Sequence, residues 1–162
     1  LSVWSSWKIM IVIQKADPDV IQPLWNVYND TDVCSALKEF VDTNNSGSVL
    51  FSPSKHGLVT AKYKDVVSFP DGDFRQTVLE FQDVDLIKRM RTNMSLLEKR
   101  FVNRPEPVLQ GLLGALLTGA PTGCVLLGQR NQEQVSAIKD LGIPLNDDDA
   151  AWVFSLYKKW YW

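Results

Sequence analysis

Short apolar runs alternate with stretches of helical spacing from one end of the chain to the other. Residues 3–7 read as the end of a strand, 8–16 as a mostly apolar helix, and 19–25, after Asp17-Pro18, as a short apolar strand. Within 33–43, Val33, Leu37, Phe40 and Val41 recur at helical spacing, and Asn44 to Gly47 supply the stop. Residues 48–51 are the next strand. The rhythm then lapses. Residues 53–73 are rich in Gly, Pro and Lys, a longer irregular stretch than a compact domain keeps without a use. Helical spacing returns over 84–101 and, after Pro105 and Pro107, over 108–118. Residues 124–127 are an unbroken apolar strand, the pattern of a strand covered on both faces. A turn at 128–131 leads into a helix over 132–141. A last helix opens after Asn146 with Asp147, Asp148 and Asp149 in its first turn, where carboxylates suit the helix dipole and need no metal to explain them. About four strands alternating with helices predict an α/β fold on a parallel sheet with right-handed crossovers.

Composition narrows the class. The 162 residues, 45% hydrophobic and 22% charged, suit a single folded domain over 1–162 and exclude disorder. With 17 Lys and Arg against 19 Asp and Glu there is no global basic field to gather nucleic acid or anionic lipid, so any anion site must be local. Cys34 and Cys124 form neither a CxxC nor a metal-ligand spacing, which predicts two buried apolar thiols in the cytoplasm or another reducing intracellular compartment. The opening Leu-Ser-Val-Trp has no initiator Met and no signal-peptide pattern, which predicts that a beginning is missing. The one long uncharged stretch, between Glu106 and Arg130, holds Gln110, several glycines and Pro121. It therefore reads as a buried helix and strand and not as a membrane span.

Parallel α/β architectures place ligands in the loops after the carboxyl ends of strands. Here those loops are Ser5-Ser6, 22–26, 52–60 and 128–134; none holds a nucleophile beside a base. In the last, Gly128 lets the backbone approach a ligand, Asn131 can cap the helix, Gln134 follows at capping-box spacing, and Arg130 offers a fork suited to phosphate. Taken alone, this segment is an ordinary capped helix with a solvated arginine.

Larger matches change the odds. Phe51 to Tyr63, FSPSKHGLVTAKY, resembles the YSPLGxGLLTGKY segment of the aldo/keto reductases, and Phe69 to Arg75, FPDGDFR, with Phe81 beyond it, resembles the FPxGDxR loop of one branch of that family. Gly128 to Gln134 resembles its GARTPEQ phosphate-binding turn, and Leu145 to Asp149 the start of its closing helix. Gln22 to Asn26 is similar to its QxxYN segment and Trp4 to Trp7 to its GVSNW. Each match is weak by itself; in the family's order along nearly the whole chain they make a joint signal.

The resemblance implies a parallel (β/α) half-barrel corresponding to roughly strands 5–8 of a TIM barrel, from a reductase that binds NADP(H) without a Rossmann fold. It places Ser5, Ser6 and Gln22 on the nicotinamide carboxamide, and the Phe51 ring, where Tyr is usual, on the nicotinamide face. Ser52, Ser54, Lys55, His56, Gly57 and Leu58 would cover the pyrophosphate, with Lys55 and His56 supplying positive or hydrogen-bonding groups. Arg130 and Gln134, after Gly128, would meet the 2′-phosphate and adenine. Four positions depart from the family pattern: Ser6 and Ile138 replace asparagines, Ser54 a leucine and Ala61 a glycine. The last is harmless only where φ is negative.

The family's Asp, Tyr, Lys and His tetrad comes from the first four strands, so no residue here takes a catalytic role. His56, the only histidine, falls in the cofactor loop. The expected activity is hydride transfer between nicotinamide and a small carbonyl substrate, once a catalytic N-terminal half completes the barrel. A half-barrel exposes two edges and an apolar face, which predicts a partner chain or self-association to close it, and Trp160 and Trp162 suit a covered surface. The alternative is a non-catalytic, degenerate reductase serving as scaffold or interaction subunit. A small doubly wound domain is less favoured, since no Gly-rich phosphate loop follows the first strand.

Overall fold

The computed structural model describes residues 2–3, 6–28, 31–129 and 131–158, with backbone alone at 2–3, 6–10 and 31–34. Four parallel strands carry the fold: β1 (Ser2–Val3), β2 (Val20–Pro23), β3 (Gly47–Leu50) and β4 (Gly123–Val125). They lie side by side in chain order, with Ser2 opposite Gln22, Val20 opposite Gly47, and Leu50 opposite Val125. A sheet in which every crossover advances by one strand is that of a (β/α) barrel opened out, as the sequence predicts.

The crossovers are α1 (Ser6–Ala16), α2 (Thr31–Asn44) and, between β3 and β4, a long excursion ending in α3 (Val84–Arg100) and α4 (Pro107–Gly119). α5 (Gln132–Ala137) and α6 (Asp147–Tyr157) follow β4. Local chemistry sets several ends. Asp83 caps α3 by accepting from the Leu86 N–H at 2.9 Å, Pro107 opens α4, and Asn146 caps α6 through the Asp149 N–H at 2.8 Å. Asp149 also pairs with Arg100 at 2.6 Å, so that part of the aspartate run serves α6 and its tie to α3.

The core lies between one sheet face and the helices. Ile21 and Leu50 are fully buried with Leu37 and Phe40 of α2 and Leu112 and Leu116 of α4. α4 also holds the segment that leads into α6. Gln110, 1% exposed, donates Nε2 to the Ile143 carbonyl at 2.7 Å, and Thr118 donates Oγ1 to the Leu145 carbonyl at 2.8 Å. Gly114 permits the approach, since a Cβ there would sit 2.9 Å from the Ile143 oxygen.

Four local expectations need correction. α1 opens at Ser6, so the first strand stops at Val3 instead of reaching residue 7. β4 ends at Val125 and is not covered on both faces: it is an outer strand, and Leu126 just beyond it is 46% exposed. Cys124, expected to be buried, is exposed, because the pleat turns it to the sheet face opposite Gly123 and Val125. The side chain of Cys34 lies outside the described residues. α5 stops at Ala137, and a turn at 138–140 runs on toward Gly142, whose φ of 100° is left-handed. Among the described residues no helix is long and apolar enough to cross a membrane.

Candidate functional site

The parallel register brings the loops after β3 and β4 to the same end of the sheet. The backbone N–H of Trp25 donates to the Phe51 carbonyl and that of Phe51 to the Pro23 carbonyl, each at 3.1 Å, so 22–26 and the start of the next loop share one edge. Buried Asn26 then donates Nδ2 to the Ser52 carbonyl at 3.3 Å.

The loop that follows is held in an uncommon shape. φ is positive at Ser52 (58°), Lys55 (45°), His56 (59°), Gly57 (90°) and Ala61 (50°). Only Gly57 adopts such values without steric cost, and left-handed residues gathered in one short segment mark a site whose shape its surroundings impose. Several of those constraints are visible. Thr60 Oγ1 donates to the Gly57 carbonyl at 2.8 Å, Tyr63 to that of His56 at 3.2 Å, and Tyr157 to that of Val59 at 3.1 Å. The Tyr63 and Tyr157 hydroxyls therefore have structural work in this chain.

Between this loop and the one after β4 lies a cleft of about 860 Å³. One wall is Ser52, Ser54, His56, Gly57 and Thr60; the other is Gly128, Asn131, Glu133, Gln134 and Ile138. Two stretches singled out for one ligand thus face each other across one opening. Asn131 caps α5 as expected, accepting from the Gln134 N–H at 2.9 Å, and Gln134 lines the cleft.

Other assigned residues are placed elsewhere. Lys55 pairs with Glu80 at 3.0 Å and sits over the Tyr28 ring, 5.1 Å from its centroid, and Leu58 is buried in the core; neither lines the cleft. Gln22, in β2, and Phe51, bridged to Leu24, are partly buried and also outside it. Trp4, Ser5, Arg130, Trp160 and Trp162 lie outside the described residues, and of Ser6 only the backbone is described.

The cleft's charge comes partly from residues that received no role from the sequence. Lys62 and Arg75 line it, opposed by Glu106 and Glu133, and Phe74, Val108, Leu109 and Leu126 give it an apolar rim. Arg75 is fixed by a bidentate pair with Asp73, by Tyr63 Oη at 3.2 Å, and by the Phe69 ring 4.3 Å below its guanidinium. Lys62 and Arg75 stand inside the two quoted motifs, but nothing in their spacing says which way the side chains turn. His56 stacks edge-on against Phe74 with centroids 4.7 Å apart. Partial desolvation, then the charges of Lys55 and Arg75, hold its imidazole below the usual histidine range, so it is neutral at pH 7. Among the described residues no His, Cys, Asp and Glu grouping could hold a metal ion.

A second, shallower hollow of about 530 Å³ lies over α3 and α6 and contains none of the strand-end loops. There Arg100 is paired with Asp149 and stacked over Trp152, 4.9 Å from its ring centroid.

With this geometry in view, comparison with solved structures finds a glycerol dehydrogenase from Gluconobacter oxydans, an aldo/keto reductase, at a TM-score of 0.76 and 25% identity over 96% of this chain. The chain spans about half of that protein, 47% of its length. The fold is thus that of part of an aldo/keto reductase barrel, consistent with its C-terminal half, as the motifs imply. No protein-family model matches the chain, and no curated protein does.

Proposed function

We propose that this chain is the NADP(H)-binding half of an aldo/keto reductase-type oxidoreductase, with the cleft between β3 and β4 as the cofactor's seat. The observation that carries this reading is the facing of 52–57 and 128–134 across one opening. The donors there suit a phosphorylated dinucleotide: hydroxyls from Ser52, Ser54 and Thr60, cations from Lys62 and Arg75, and the Gln134 amide. Ser52, Ser54 and Gly57 would lie along the pyrophosphate, while Gln134, with Arg130 two residues after Gly128, would face the adenosine end. The cofactor supplies the hydride. The chain's own part is to bind and orient it, and its neutral His56 and pinned Arg75 set the polarity of the opening.

The proton donor, and with it the choice of a small carbonyl substrate, would come from a further half-barrel, on the same polypeptide or another. Support for such a partner is the sheet face left open: Val20 is 47% exposed, Leu126 46%, and Cys124 exposed. An exposed free thiol fits a reducing intracellular compartment such as the cytoplasm.

Specific observations favour a second reading, a degenerate scaffold. Ile138 lines the cleft where an asparagine is usual, Ala61 holds a left-handed φ, and Glu106 and Glu133 oppose a phosphate. Arg130→Ala separates the two readings. The cofactor assignment expects a large loss of NADPH affinity with NADH nearly unchanged, and equal NADPH affinity in mutant and parent would overturn the phosphate-site assignment.

A further inference from the structure

The segment 52–61 carries five residues of positive φ, and besides its own backbone hydrogen bonds and the Lys55–Glu80 pair, four side chains donate to its carbonyls. Three donors are near it in the chain or the sheet: Asn26 to Ser52, Thr60 to Gly57, and Tyr63 to His56. The fourth comes from another part of the fold. Tyr157, the last residue of α6 and fully buried, reaches the Val59 carbonyl at 3.1 Å across 98 positions of sequence. Val59 is itself fully buried and Leu58 is 2% exposed, so these two residues anchor the loop in the core while Gly57 before them and Thr60 after them line the cleft.

The mount of that tyrosine is also fixed. A helix's last carbonyls have no partner within the helix and must find one outside. Here Asn93 of α3, 4% exposed, donates Nδ2 to the carbonyl of Leu156 at 2.8 Å. Two hydrogen bonds at adjacent residues, the second fully buried, therefore run in series, from α3 to the end of α6 and from there to the loop. A packed aromatic ring alone would hold Tyr157; the hydroxyl adds a directional hold on one carbonyl.

We propose that Tyr157 is a positioning residue for the cleft. By holding the Val59 carbonyl from the end of α6 it fixes the left-handed loop that presents Ser52, Ser54 and Gly57. Ligand affinity is thus set in part by a helix that does not line the cleft. The ligand side of this inference rests on the NADP(H) reading above; the loop side does not.

Tyr157→Phe keeps the ring and removes the hydroxyl. Thr118→Val is the control: it breaks another tertiary side-chain-to-carbonyl bond, to Leu145 at 2.8 Å, at a residue outside the cleft. Two readouts are needed, amide exchange over 56–61 without ligand and calorimetric NADPH affinity, both on the full chain. Tyr157→Phe is expected to speed loop exchange and weaken NADPH each by roughly 3- to 30-fold, the effect of one buried hydrogen bond on an equilibrium, while Thr118→Val changes neither. Loop exchange unaltered in Tyr157→Phe, or accelerated equally in Thr118→Val, overturns the proposal. A parent that fails to bind NADPH overturns the cofactor reading instead, and loop exchange alone then decides the role of Tyr157. Should Tyr157→Phe not fold, Asn93→Leu releases the Leu156 carbonyl and is expected to speed loop exchange in the same direction; parent-like exchange there overturns the proposal.

Discussion

Ala61→Gly should stabilise this chain although it removes a methyl group. Ala61 has a φ of 50°, where Cβ crowds the neighbouring carbonyl at a cost of about 1–2 kcal/mol for an L residue. Glycine relieves that cost and forfeits roughly 0.5–1 kcal/mol through the greater freedom of the unfolded chain. The balance is a gain of about 0–1.5 kcal/mol, centred on about 0.75, or a Tm higher by roughly 2–3 °C at the centre for a domain of this size. The Ala61 N–H donates to the Leu58 carbonyl at 3.3 Å, a bond that glycine retains. Urea denaturation is the assay, with a raised midpoint at unchanged slope. Ala151→Gly, on an exposed face of α6, is the matched control and should lose about 1 kcal/mol. If both substitutions destabilise alike, residue 61 is not left-handed in solution, and the strain attributed to the loop is refuted.

Other outcomes follow from particular contacts. Gln110→Leu leaves the Ile143 carbonyl without its buried donor and should cost about 1–3 kcal/mol in urea denaturation. Asn146→Ala removes the cap of α6 and should cost about 1 kcal/mol, read as a lower midpoint in the same assay. The imidazole of His56 is held below its ordinary value in the folded chain, so the unfolded state takes up the proton first as pH falls. Stability should therefore decline as pH drops through the range near 6.5, and His56→Gln should flatten that part of the profile in pH-resolved thermal melts.

The fold was largely legible because its strands are short apolar runs, several of them bounded by Gly, Pro or Asn, and because helices separate every pair of successive strands. Coverage was not. The apolar run at 124–127 reads alike whether one face or both are packed, and only the sheet order places β4 outermost and Cys124 in the open. Likewise Ile138 and Leu141 continue a helical spacing beyond the point where α5 stops. At the site, motif order was enough to bring 52–57 and 128–134 to one opening, because both follow strands of one parallel sheet. It could not say that Lys55 turns to Glu80 and Leu58 into the core, while Lys62 and Arg75 turn to the cleft. Side-chain direction there depends on the sign of φ at individual loop residues, which residue type alone does not determine.

Calorimetric titration of the folded chain with NADPH tests the central claim most directly, since the cleft's assigned residues converge on that one ligand. The account predicts saturable binding near one cofactor per chain; a folded chain that takes up no NADPH would contradict it.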